Sequence, residues 1–263
     1  MTDIANQIVW ITGASSGIGE ALAVAASRRG AKLVLSARRA SELDRVRGRC
    51  ATPTDVAVLR LDLERFDASL AADEAAGFFG AVDVLVNNAG ISQRSLVADT
   101  SMEVYRRIME LDFFAPVALT KAVLPGMLAR RRGHVVAISS VAGKVATPLR
   151  SGYAAAKFAL HGFYDALRAE VWKRGITVTV IVPGFIRTDV SINAVTGSGA
   201  PYGTMDGKQA TGMDPGVCAD RIWRAVQAGK SEALIGGVET LAAYLKRLSP
   251  TLTERVIRNA KVT

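Results

Sequence analysis

Apolar residues fall in short blocks separated by longer amphipathic stretches along most of this chain. The blocks at 8–11, 32–36, 56–61, 82–86, 133–139, 176–182 and 232–235 are short and rich in β-branched residues, so they predict strands. Helical patterns lie between them. One runs through Leu22, Val24 and Ala25 to Arg29, and others cover 41–49, 66–79, 100–128, 153–174 and 215–229. In the 100–128 stretch the apolar positions are Ile108, Leu111, Leu119 and Val123, and Pro116 and Pro125 are expected to kink or end the helix. Strand and helix alternate with short connections, which predicts an α/β fold with a parallel sheet and helices on both faces. Ligands of such sheets sit beyond the carboxyl ends of the strands. The stretch 185–213, rich in Gly, Ser, Thr and Asn, predicts a mobile flap over that end. The tail, 238–263, is helical in pattern and basic on one side.

Composition narrows the class. With 263 residues and 49% hydrophobic content, the chain can fill the core of one domain spanning 1–263. No repeat or low-complexity segment stands out. Cys50 and Cys218 lie far apart without metal-ligand spacing, so buried reduced thiols, no metal site and a cytoplasmic setting are expected. Residues 1–10 resemble neither a signal peptide nor an anchor, and no run of 18 apolar residues predicts a spanning helix. The net charge of +9 is scattered, with Arg130-Arg131-Arg132 as the one short block. Nucleic-acid binding would need clustered basic residues interleaved with aromatics, and none is seen. The excess reads as solvated surface plus charges recruited for a phosphorylated cofactor.

The strand ends carry the candidate chemistry. After the first strand comes Thr12-Gly13-Ala14-Ser15-Ser16-Gly17-Ile18-Gly19, then a helix. Strand, glycine-rich turn and helix is the context of a dinucleotide-binding loop. Glycines let the backbone approach a pyrophosphate, and the helix start presents free N–H groups and partial positive charge. The second strand ends at Arg38-Arg39, where an acidic residue would hold the ribose 2′-hydroxyl of NAD. Arginine suits a 2′-phosphate, so NADP(H) is the expected cofactor, with NAD(H) possible. The alternative makes both arginines surface charges and gives the ribose to Glu42. Asp62 and Asn87-Asn88-Ala89-Gly90 fall at two further strand ends.

Tyr153 and Lys157 lie four apart on a predicted helix and so share a face, with Ser140 thirteen residues upstream at a strand end. A free phenol has a pKa of about 10. A nearby ammonium favours the phenolate, which fits a tyrosine for proton exchange with a carbonyl or hydroxyl oxygen. Ser140 could hydrogen-bond the same oxygen. His134 and His161 read as packing or surface residues. Gln93 and Arg94 could line a substrate mouth or face solvent. In the tail, Tyr244, Leu245, Leu248 and Leu252 with Lys246, Arg247, Arg255 and Arg258 form a basic amphipathic stretch. Packing over the pocket or against a neighbouring subunit is expected there before contact with a membrane.

Thr12-Gly13-x-x-x-Gly17-x-Gly19, Asn87-Asn88-Ala89-Gly90, Ser140, Tyr153-x-x-x-Lys157 and Pro183-Gly184 occur together in this order. Over nearly its whole length the chain resembles the short-chain dehydrogenase/reductase family. Gly90-Ile91-Ser92-Gln93-Arg94-Ser95, Ala118-Leu119-Thr120-Lys121, Asn193-Ala194-Val195-Thr196 and Tyr202-Gly203-x-Met205-Asp206 are similar to the 11β-hydroxysteroid-dehydrogenase-like branch, nearest its dehydrogenase/reductase member 7 group.

The resemblance implies a doubly wound Rossmann-type sheet of order 3-2-1-4-5-6-7. It implies an NADP(H)-dependent oxidoreductase interconverting a ketone or aldehyde and an alcohol. Tyr153 would donate or accept the proton, Lys157 would bind the nicotinamide ribose and Ser140 would position the substrate oxygen. Gly13, Ser15, Ser16, Gly17, Ile18 and Gly19 would hold the pyrophosphate. Asp62 and Leu63 would meet the adenine, and Asn88, with Ala89 and Gly90, the central cofactor. Pro183, Gly184, Ile186 and Thr188 would lie by the nicotinamide. A homodimer or homotetramer is implied through the helices around Leu111 and Phe163. Asp112 stands where the family usually carries an asparagine of a proton relay. Its backbone carbonyl survives the exchange, but its carboxylate could pair with Lys157. A catalytically impaired cofactor sensor or scaffold is therefore the competing reading. The apolar flap residues Val190, Ile192, Val195, Tyr202 and Met205 suggest a small hydrophobic substrate.

Overall fold

A computed structural model describes residues 3–258. Strands β1 (Ile8–Thr12), β2 (Lys32–Ala37), β3 (Val56–Arg60), β4 (Val84–Asn87), β5 (Gly133–Ile138), β6 (Ile176–Pro183) and β7 (Glu232–Ile235) form one sheet in the order 3-2-1-4-5-6-7. Every neighbouring pair is parallel. Parallel strands need crossovers, and the crossovers place helices on both faces, which is why the central strands are apolar at nearly every position. In β1, Val9 and Ile11 enter one core with Leu22 and Trp223, while Ile8 and Trp10 enter the other with Leu119 and Tyr164. Buried indoles need a partner, and Trp10 Nε1 donates to Ser36 Oγ at 2.7 Å.

The helices are α1 (Gly17–Ser27), α2 (Ala40–Arg49), α3 (Ala68–Phe79), α4 (Met102–Met109), α5 (Ala115–Arg130), α6 (Ser151–Val171), α7 (Gly207–Ala210), α8 (Pro215–Gln227), α9 (Leu241–Leu248) and α10 (Pro250–Arg258). The chain turns from β1 toward β2 and β3, then returns across the sheet to β4. The loops after β1 and β4 therefore part around a crevice. One hydroxyl stitches its floor. Thr12 Oγ1 donates to Val86 O at 3.3 Å and accepts the N–H groups of Asn88 and Ala89 at 3.1 and 3.2 Å.

Two expectations change. The 100–128 helix is not ended by its prolines. It continues to Arg130 through a π turn at Glu110–Phe114 that joins α4 to α5. Pro116 lies in the first turn of α5, and its missing N–H leaves no donor for the Asp112 carbonyl four residues back. By length and composition Met102–Arg130 could cross a bilayer, but Ile108, Leu119 and Met127 are committed to the core.

The 185–213 segment is not a loose flap. Val195 bridges to Gln93 and to Pro201, and Ile186 bridges to Met213. Val195 O accepts the Arg94 N–H at 2.8 Å, and Val195 N–H reaches Ser92 O at 2.9 Å. Buried Ser191, Ala194 and Val195 anchor what its polar composition suggested would move. The tail lies at the pocket, with Ala242, Val256 and Ile257 lining the cavity and Thr253 buried. It is a helical hairpin with no fully buried residue in α9, and residues 259–263 of the expected tail lie outside the described residues.

Candidate active site

The loop after β1 turns because glycine permits it. Gly13 and Gly17 have φ of +63° and +59°, which side chains rarely adopt. A Cβ on Gly13 would also lie 2.8 Å from Ala89 Cα. Ser16 caps α1 without a side-chain capping bond, so the leading N–H groups of the helix remain for an anion. Ser15, Ser16, Gly17 and Ile18 line a cavity of about 800 Å³ with Gly13. Gly19 lies behind the loop. A Cβ there would stand 2.3 Å from Gly13 O, so it serves the close approach of α1 to the strand rather than the cavity wall. The Asn88 side chain turns to the same loop, donating to Thr12 O at 2.9 Å and to Gly13 O at 3.2 Å.

Arg38, Arg39, Asp62 and Leu63 line one end of the cavity. Arg38 and Arg39 are exposed. Arg38 reaches Glu64 at 3.4 Å, and Arg107 holds the same carboxylate through two bonds of 3.0 Å. Glu42 is engaged elsewhere, on Arg45 at 2.8 Å.

At the other end Ser140, Tyr153, Lys157 and Asp112 share the cavity with Ala89, Gly90, Pro183, Gly184, Ile186 and Thr188. Ser140 Oγ accepts the Ala142 N–H at 3.1 Å, which leaves its own hydrogen to donate. Lys157 Nζ stands 5.6 Å from the centre of the Tyr153 ring and donates to Ile138 O at 3.2 Å. The Lys157–Asp112 pairing anticipated from sequence is present at 3.3 Å, with both side chains buried. Asp112 Oδ1 also accepts the Ile91 N–H at 2.8 Å. Burial pushes the Asp112 carboxyl up from its ordinary range, and Lys157 opposes that shift. Gly90 is required beside it, because a Cβ would lie 2.7 Å from Asp112 Oδ2.

A second charged cluster was not assigned a role by the motifs. Arg94 and Arg150 both bind Asp206 Oδ2, Arg150 at 2.9 Å, and all three side chains are largely buried. Gln93 Oε1 accepts the Gly152 N–H at 2.7 Å, fixing the first turn of the helix that carries Tyr153. Gln93 and Arg94 are thus interior groups joining three loops, and Arg94 also lines the cavity, while neither faces solvent. Their polarity in a Ser-rich loop gave no signal of this. His134 and His161 are interior as well, on Thr179 at 2.8 Å and Ser139 at 3.0 Å. Burial pulls His134 down to about 4.

Parallel crevice, glycine loop and a Ser-Tyr-Lys wall define a nicotinamide-nucleotide oxidoreductase, and the family comparison agrees. The short chain dehydrogenase model matches residues 7–198, and the chain belongs to that family. Dehydrogenase/reductase SDR family member 7B of Bos taurus is 45% identical over 263 residues, covering 97% of this chain and 81% of the relative. The protein of that name in Xenopus tropicalis is 44% identical over 256 residues, covering 94% and 83%. A short-chain dehydrogenase structure from Streptomyces avermitilis superposes with TM-score 0.81 at 31% identity, over 98% of this chain and 100% of that one. The NAD complex of a Burkholderia phymatum short chain dehydrogenase/reductase gives TM-score 0.83 at 21% identity, over 96% of each, and speaks for the fold.

Proposed function

We propose that this enzyme uses NADP(H) to interconvert a hydrophobic ketone or aldehyde and its alcohol, with Tyr153 as general acid and base. The observation that carries this reading is one continuous cavity bounded by the glycine loop at one side and Ser140, Tyr153 and Lys157 at the other. Gly13, Ser15, Ser16, Gly17 and Ile18 would hold the pyrophosphate, and Ile186 and Thr188 the nicotinamide. The loop fits such a group because its glycines leave no side chain between an anion and the α1 N–H groups. A bound nicotinamide supplies or takes the hydride.

The chain's own residues manage the proton. The Tyr153 hydroxyl protonates the substrate oxygen on reduction and the phenolate takes the proton back on oxidation. Ser140 donates a hydrogen bond to the same oxygen as its charge grows. Lys157 Nζ stands beside the Tyr153 ring and pairs with the Asp112 carboxylate at 3.3 Å. Ile192 and Val195 from the covering segment give the substrate end apolar walls. Buried reduced Cys50 and Cys218 accord with a cytoplasmic setting, and self-association through α5 and α6 belongs to the same reading.

NADP(H) rests on Arg38 and Arg39, which stand exposed at the end of β2. Guanidinium bonds to a phosphate contribute about 1.5–3 kcal/mol each. Arg38→Asp is therefore expected to weaken NADPH binding by about ten- to a hundredfold and to leave NADH binding within a few fold. Equal losses for both nucleotides in a fluorescence titration would remove the 2′-phosphate assignment. The Lys157–Asp112 pair favours a second reading, a cofactor sensor with little turnover. NADPH oxidation against a panel of ketones, aldehydes and hydroxysteroids separates the two, since a sensor binds NADPH and turns over none of them.

A further inference from the structure

The helix that carries Tyr153 starts without a cap of its own. Arg150 precedes its first residue and makes no side-chain capping bond to the leading N–H groups of α6. Such groups have no partner within the helix, and leaving one unbonded in the interior is costly. Leu149, just upstream, stands in the left-handed region at φ +66°, which a bulky side chain disfavours. The chain thus enters α6 under strain, and the first turn is held from outside.

Gln93, in the loop after β4, supplies the hold. Its Oε1 accepts the Gly152 N–H at 2.7 Å. Only the oxygen of an amide side chain can accept, so this bond fixes which way Gln93 faces. Nε2 then donates to Thr100 Oγ1 at 3.0 Å and to Ser95 Oγ at 3.1 Å. Gly152 permits the approach, since a Cβ there would lie 3.0 Å from Gln93 Oε1 and 3.0 Å from the Tyr105 ring. Tyr105 in turn shares a hydrogen bond of 2.8 Å with Ser151. Ser92 and Arg94 line the cavity, while Gln93 between them points to the start of α6.

We propose that Gln93 is a positioning residue for the proton transfer: it caps α6 and so sets where the Tyr153 hydroxyl meets the substrate oxygen. The inference rests on the acid–base reading of Tyr153. Tyr153 directly follows Gly152, so a tilt of the first turn carries straight into the phenol. Misplacing a reacting group by about 1 Å can cost about a hundredfold in rate. The loss of this cap therefore falls on kcat and spares the nucleotide site, which the glycine loop builds from the other side of the crevice. The backbone of Gln93 also bridges to Val195, which lines the substrate end, so the covering segment and the cap are held together.

Gln93→Met in the full chain keeps the length of the side chain and removes its amide. Hydrogen exchange should then be about tenfold faster or more at the Gly152 N–H and unchanged in the later turns of α6. With the ketone or aldehyde of the panel that wild type reduces fastest, kcat should fall about ten- to a hundredfold while KM and NADPH affinity stay within a few fold. Gln93→Glu keeps an acceptor for Gly152 and should bring kcat back to within a few fold of wild type. Placed on Tyr153→Phe, Gln93→Met should lower the residual rate no further. If Gln93→Met does not fold, Ser95→Ala with Thr100→Val frees the amide from its far side and should move the Gly152 exchange and kcat in the same directions. Unchanged exchange at Gly152, wild-type kcat, or losses that multiply on Tyr153→Phe overturn the proposal. Wild-type turnover by Tyr153→Phe would instead overturn the acid–base reading itself, whereas an inactive Tyr153→Phe beside a fully active Gln93→Met overturns this inference alone.

Discussion

Tyr153→Phe is expected to cut turnover by about a hundred- to ten-thousandfold while NADPH still binds with wild-type affinity. The phenyl ring keeps the packing of Tyr153 at the start of α6 and removes the one proton that the reaction exchanges. Lys157 keeps its bonds to Ile138 O and Asp112, because neither involves the phenol. Single-turnover NADPH oxidation beside a nucleotide titration makes the distinction. Turnover within a few fold of wild type would take the acid–base role from Tyr153. Loss of both properties together would mean that the ring, rather than its proton, matters.

Lys157→Met is expected to act on stability as well as on rate. It removes the ammonium that faces a carboxyl with no solvent exposure. Breaking one side of a buried ion pair costs about 3–5 kcal/mol. The sign of the pH dependence follows from Asp112. Burial already raises its carboxyl above the unfolded value, and losing Lys157 removes the opposing pull. The folded variant then keeps a proton that the unfolded chain has released. Its stability should fall as pH rises from about 4, the ordinary aspartate value, up through the raised folded value. Urea unfolding at several pH values reads this directly. Adding Asp112→Asn should restore much of the loss and flatten the slope, because no carboxyl remains to ionise. A single Lys157→Met variant with the wild-type slope would mean that the two groups do not share charge. Asp112→Asn alone leaves Lys157 its carbonyl partner and an unshared charge. Its turnover should be retained.

Much of this arrangement was legible before any coordinates. Each strand block was short and apolar because each strand is covered on both faces, and the glycine loop announced itself by standing between a strand and a helix. Tyr153 and Lys157 followed from helical spacing, and Asp112 stood out by replacing an amide. What escaped has a common physical cause. Arg94 and Asp206 meet across 112 residues, and no local pattern encodes such a contact. Glu64 and Arg107 meet across 43 residues in the same way. The 185–213 segment looked loose because glycine, serine and asparagine dominate it, yet a few buried residues and bridges hold it. Pro116 looked like a helix end. A π turn absorbs it, since the five-residue spacing of that turn needs no N–H at the proline. Gly19 looked like a phosphate contact by its place in the motif, and only the 2.3 Å approach to Gly13 O reveals its steric task.

The anchoring of 185–213 decides how traffic passes through the pocket. Lifting that segment means separating buried Arg94 and Arg150 from Asp206 and breaking the Val195 bridges together. Such an opening carries a steep free-energy penalty and so is rare on the time scale of turnover. Exchange of substrate for product is then expected past the residues that α10 contributes to the cavity lining, Val256 and Ile257. Where release rather than chemistry limits the rate, bulk added at these two positions would slow the cycle without touching any group that handles the proton.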